Sequence, residues 1–310
     1  MLTRVAVVAL NTYREAVRAR ILLGLFALAL GTGGYALVVG AYANRSRLRV
    51  VSDLGAASIS IYAIAVAIVL GATSLYRELE LKTIFPILAR PIRRAEYLVG
   101  KLLGTVLTLA VFIAINGGSL LLAIAVLSGR PLLPIAYGVL AGAVAVGLLA
   151  WRRPRLQSYL PILCAVVLGL AGFVLAGGAP DDRSVIAGSA ALTLCEILVI
   201  ASAATLFSAF SSPFLTAVFT LAVFIVGRSA DALGRLPEKM FGAFIHGLGA
   251  VVAKVVPNLM WYVPPRSLLT GEAAGESLST HLALSAGYAV CWAVGLLTLA
   301  AIVFKRRDFL

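Results

Sequence analysis

Runs of about 20 residues with few or no charges recur along this 310-residue chain, at 21–43, 55–75, 102–127 and 282–304 among others. A helix rising about 1.5 Å per residue needs about 20 residues to cross a hydrocarbon core of about 30 Å. Composition agrees: 61% of the residues are hydrophobic and 13% charged, where soluble domains sit near half apolar and a quarter charged. The sequence therefore predicts an all-α, polytopic membrane helix bundle. No stretch free of spans exceeds about 55 residues, so the chain is read as one membrane domain, 1–310, without a separate soluble catalytic domain.

Eight spans are predicted, at 21–43, 55–75, 102–127, 132–151, 157–177, 185–210, 213–229 and 282–304. The third is long enough to tilt or to extend past the hydrocarbon. Before the first span, Arg4, Asn11, Glu15 and Arg18 are spaced 7, 4 and 3 apart. That spacing gathers them on one narrow arc, so 1–20 reads as an amphipathic helix in the interface.

The formal net charge of +13 suggests nucleic acid in a soluble protein, but here Lys and Arg flank spans. With a cytoplasmic N-terminus, segments 1–20, 76–101, 152–155 and 305–310 fall inside. They hold about 16 of the 26 basic residues, as the positive-inside rule requires. Arg45, Arg47 and Arg49 run against this assignment. Both termini are expected to be cytoplasmic, in a prokaryotic inner membrane. Cys164, Cys195 and Cys291 lie in apolar runs without CxxC spacing, and His246 and His281 stand far apart; no disulfide or metal site is expected.

The region 230–281 is the longest non-spanning segment. Phe241, Phe244, Ile245, Leu248, Val251, Val252 and Val255 recur at helical spacing and Pro257 follows. A helix lying on the outer leaflet, or dipping into it, is expected there.

The segment 76–101, YRELELKTIFPILARPIRRAEYLVGK, carries the most information. Glu78 and Lys82 stand four apart with the acid first, as an intrahelical pair prefers. Arg90 precedes Pro91, so one helix should end near 89 and another begin near Arg93. Ile84, Phe85, Ile87 and Leu88 make an apolar knob ringed by charge. Its two readings are a docking element for a protein partner and a helix resting on lipid headgroups.

These motifs resemble ABC-2 type permeases, in the branch that includes permeases of copper-enzyme maturation systems. The residues that carry the resemblance are Asn11-Thr12-Tyr13-Arg14-Glu15, Asp53-Leu54-Gly55 and the 77–101 loop, with ARPIRRAEYLVGKLLG at 89–104 the most specific. Glu196, the 206–213 stretch LFSAFSSP, Pro257-Asn258-Leu259 and FKRRDF at 304–309 extend it over most of the chain. The resemblance implies a permease that pairs with a second permease copy and with two separate ATP-binding subunits. In that case the first cytoplasmic loop is the coupling element, and Glu78, Lys82, Thr83, Ile84, Phe85, Ile87, Leu88, Arg90, Pro91, Arg94 and Glu96 belong to it. Asn11, Arg14, Glu15 and Arg18 then belong to the elbow helix. The family has six spans; 132–178 looks like an inserted two-span hairpin.

A phosphate-binding loop needs GxxxxGK followed by Ser or Thr. Here Gly100-Lys101 is followed by Leu102 and position 95 is Ala. The chain is therefore expected to bind no cofactor of its own, with ATP and Mg on the partner subunit. Glu196 is the one acidic residue well inside a predicted span, and so either lines a pathway or bonds a neighbouring helix. Arg228 and Asp231, three apart, are expected to form an ion pair. Gly100–Gly104 and Gly138–Gly142 have the GxxxG spacing that permits close helix approach. An ion-coupled secondary transporter, a non-transporting ATPase anchor and an intramembrane enzyme are the other readings. The last would need an Asp pair, HExxH or a Ser/His couple at membrane depth, which no predicted span supplies.

Overall fold

The computed structural model describes residues 2–18, 21–43, 46–80, 93–272 and 277–306. Apolar runs in lipid must satisfy their backbone polar groups internally, and the described residues are helical without strands. In chain order the helices are α1 (Leu2–Arg18), α2 (Ile21–Tyr42), α3 (Arg47–Glu80), α4 (Arg94–Leu127), α5 (Leu132–Arg152) and α6 (Leu160–Leu175). They continue with α7 (Pro180–Ser208), α8 (Pro213–Arg228), α9 (Ala230–Gly234), α10 (Glu238–Val255), α11 (Arg266–Thr270) and α12 (Leu278–Arg306).

Six stretches, within α3, α4, α5, α6 with its leading turn, α7 and α12, are long and apolar enough to cross a membrane. The remaining two predicted spans coincide with α2 and α8, whose apolar stretches Phe26–Tyr42 and Pro213–Arg228 are shorter. The core lies where α3 and α7 pack together, with α2, α4 and α12 around them.

The 132–178 hairpin divides into two unlike halves. Helix α6 packs tightly on α4: a Cβ on Gly118 would fall 2.6 Å from the Leu168 backbone, and one on Gly172 2.6 Å from the Gly118 carbonyl. Only glycine allows backbones this near. Helix α5 buries no residue, and space is open around Gly138 and Gly142. That GxxxG spacing joins nothing among the described residues.

The described parts of the segments predicted to be cytoplasmic gather at one end of the bundle. There Tyr97, Leu98, Ala209, Ala300 and Phe304 form a small core with Val8 of α1 against it. Arg14 of α1 donates to the Tyr159 hydroxyl and lies 5.0 Å from its ring centroid, which brings the 152–159 turn to the same end. At the opposite end Ser52, Asp182 and Arg266 meet.

Helix α10 follows its periodicity. Phe244, Leu248, Val251 and Val255 are exposed, while Gly249 is buried against the Leu233 carbonyl. Gly242, at φ 80° and ψ 160°, kinks the helix near its start, a backbone angle that glycine adopts at little cost.

Candidate functional site

Helix α7 carries polar residues at Asp182, Ser189, Thr193 and Glu196. Offsets of 7, 11 and 14 residues return to within about 40° of the same helical direction, so the four share one face. That face looks toward α3, and a cavity of about 480 Å³ opens between them. Asp53 and Ser60 of α3, Ser189 and Thr193 of α7, and Tyr262 and Arg266 line it, together with Arg228.

An ionic cluster stands at each end of this stripe. Glu196 is 1% exposed and accepts from Arg228 Nε and Nη2, both at 2.8 Å. This bidentate geometry is the strong form of a guanidinium–carboxylate pair. Helix α8, 16 residues long, spans about 24 Å and brings Arg228 level with Glu196. Arg228 is therefore not paired with Asp231, as its spacing had predicted. Asp231 instead accepts from Asn258 Nδ2 at 2.7 Å. A carboxylate buried on the adjacent helix attracts the arginine more strongly than a neighbour exposed to solvent does.

At the other end, Arg266 donates from Nη2 to Asp182 at 2.6 Å and from Nη1 to Ser52 at 3.1 Å and to Asp53. Ser52 in turn donates to Asp182 at 2.8 Å. One side chain thus ties α3, α7 and α11 together. Burial works against the Arg266 charge, but the hydrogen bond to Asp182 and the Asp53 carboxylate outweigh it and hold the guanidinium above its ordinary pKa. Asn258 performs a similar stitching role: its backbone N–H donates to the Tyr288 hydroxyl of α12 at 2.8 Å.

Of the predicted coupling residues, Lys82, Thr83, Ile84, Phe85, Ile87, Leu88, Arg90 and Pro91 lie outside the described residues. Glu78 falls on the helical backbone of α3, and Arg94 opens α4. Glu96 is buried and accepts the Arg93 N–H at 3.3 Å, which satisfies an orphan donor at the start of α4.

The elbow residues Asn11, Glu15 and Arg18 are exposed on α1, and Asn11 Nδ2 donates to Glu15 at 2.8 Å. The opposite face of α1 buries Ala9, Thr12, Tyr13 and Ala16. It meets α4 where Gly100 and Gly104 admit it: a Cβ on Gly104 would lie 2.5 Å from the Ala9 carbonyl. This GxxxG pair therefore seats the elbow helix. Burial pushes the Tyr13 phenol up to about 12, with Cys164 adding a smaller push.

Sequence reasoning found Glu196 but missed its partner, the Arg266 cluster and the polar stripe. No family model and no curated protein matches this chain.

Proposed function

We propose that the chain is the permease subunit of an ABC-2 type transporter, an exporter of the prokaryotic inner membrane with eight crossings and both termini cytoplasmic. It works with a second permease copy and two ATP-binding subunits that carry ATP and Mg. The observation that carries this reading is the pair α3 and α4, each 34 residues long. At about 51 Å apiece they outrun a hydrocarbon core of about 30 Å. In α4 the excess, 94–101, lies beside segment 81–92, the proposed docking loop; in α3 it is divided between 76–80 beside that segment and 47–54 at the opposite end. Helix α1 clasps the start of α4 at Gly100 and Gly104. A push on the loop then moves α3 and α4 as levers, and α3 forms one wall of the polar cavity.

The Glu196–Arg228 pair weighs against ion-coupled transport. A coupling carboxylate must exchange its cation during each cycle, whereas this one is held by two hydrogen bonds from a resident guanidinium. A polar recess open between α3 and α7 also favours a pathway over a bare ATPase anchor.

The test is affinity purification from the native host in mild detergent, with and without Ile84→Asp and Leu88→Asp. An ATP-binding subunit should accompany the native chain and leave the double variant. Its absence from a well-folded native preparation would remove the proposal.

A further inference from the structure

The hydroxyls of the bundle behave in two ways. Thr12, Thr108, Ser202, Thr205 and Thr220 each donate to a carbonyl four residues back, at 2.7–3.1 Å, the ordinary way for a helix to satisfy them. Ser60, Ser189 and Thr193 make no hydrogen bond among the described residues, and all three line the α3–α7 cavity. Tyr262 also lines it, but its hydroxyl is sealed from the cavity as well as unpartnered among the described residues. Arg228 uses Nε and Nη2, and Arg266 uses Nη1 and Nη2. Among the described residues the third nitrogen of each guanidinium makes no hydrogen bond.

The charges, by contrast, are already matched. Arg228 pairs with Glu196, Arg266 with Asp182 and Asp53, and Arg49 lies 3.8 Å from Asp53. Three cations meet three carboxylates. A bare ion entering here would lose hydration and gain little net attraction. What remains unused is neutral hydrogen-bonding capacity, both donating and accepting, beside apolar walls of Ala56, Ile64 and Phe224. The volume of about 480 Å³ lies within the range of about 300–1,000 Å³ usual for small-molecule sites.

We propose that this cavity binds an uncharged, hydroxyl-bearing amphiphile. The head group exchanges hydrogen bonds with Ser60, Ser189, Thr193 and the unused guanidinium N–H groups, and the apolar part lies against Ala56, Ile64 and Phe224. To call this ligand the cargo rests on the permease reading; the binding itself does not.

The test uses the full chain in phosphatidylcholine nanodiscs, with Trp151→Phe and Trp292→Phe so that Trp261, next to Tyr262, reports. Three probes share one tail, below their micellar concentrations: octyl glucoside, octyl sulfate and octyltrimethylammonium. Octyl glucoside should give a saturable fluorescence change, and the charged probes only a linear partitioning signal. Thr193→Val and Ser189→Ala, which nearly keep shape, should each weaken octyl glucoside about three- to tenfold. Saturation by octyl sulfate at equal or lower concentration would make this an anion site and overturn the proposal. So would an unsaturable octyl glucoside signal, or one that neither variant weakens. No ATPase enters this assay, so its failure is separate from failure of the permease reading.

Discussion

Glu196 and Arg228, 32 residues apart in sequence, meet through two hydrogen bonds of 2.8 Å with Glu196 1% exposed. Removing one partner of a buried pair leaves the other as an uncompensated charge, at a cost of about 3–5 kcal/mol. Arg228→Ala should therefore lower thermal stability in detergent by that order. The double variant Glu196→Leu/Arg228→Met should recover most of the loss. Additive losses in the double-mutant cycle would show that the two residues do not depend on each other.

Arg266 reaches three acceptors on two helices, Ser52, Asp53 and Asp182. A lysine ammonium lacks the planar fork that serves several acceptors at once. Arg266→Lys should loosen this end of the bundle, by about 2 kcal/mol if the charged bond to Asp182 is weakened. Amide hydrogen exchange should rise at the starts of α3 and α7. Unchanged protection there would mean that apolar packing alone holds this end.

The two GxxxG pairs make a matched experiment. At Gly104 an added methyl would meet the Ala9 carbonyl at 2.5 Å and Thr12 Cβ at 2.6 Å, while nothing lies within 4 Å at Gly138. Gly104→Ala should cost about 1–3 kcal/mol through overpacking and expose α1 to protease. Gly138→Ala should stay within about 0.5 kcal/mol. Equal melting temperatures for the two variants would contradict the seating of α1 on α4.

Tyr13 gives a pH dependence. Burial raises its phenol from 10.0 to about 12, so the folded state favours the neutral form. This contribution is constant below pH 10, and stability falls as pH rises from 10 toward 12, where only the unfolded chain ionises readily. In a 295 nm titration Tyr13→Phe should lose one late-titrating phenol and resist alkaline unfolding better. Loss instead of a phenol that titrates near pH 10 would place Tyr13 in water.

Much of this architecture was legible in the sequence. Apolar length located the helices, and periodicity gave the exposed stripe of α10 and the polar arc of α1. The stripe Asp182, Ser189, Thr193, Glu196 has the same 7, 4, 3 spacing as Arg4, Asn11, Glu15, Arg18. It could have been read the same way, but it lies in a run that registers as a span, where Ser and Thr are ordinarily satisfied by their own helix. The arginine partners were not legible. Sequence proximity favoured Asp231 for Arg228, whereas burial of Glu196 on another helix decides the pair. Nor did spacing distinguish the two GxxxG pairs, because Gly138 and Gly104 differ only in what the fold brings against them.

A photo-crosslinking amino acid placed at Ile84, and in a second strain at Val251 on the exposed face of α10, tests the permease reading in intact cells. Illumination should join position 84 to an ATP-binding subunit and leave position 251 without that adduct. An adduct at 84 that contains lipid alone, or an ATP-binding subunit captured at 251 instead, would contradict that reading.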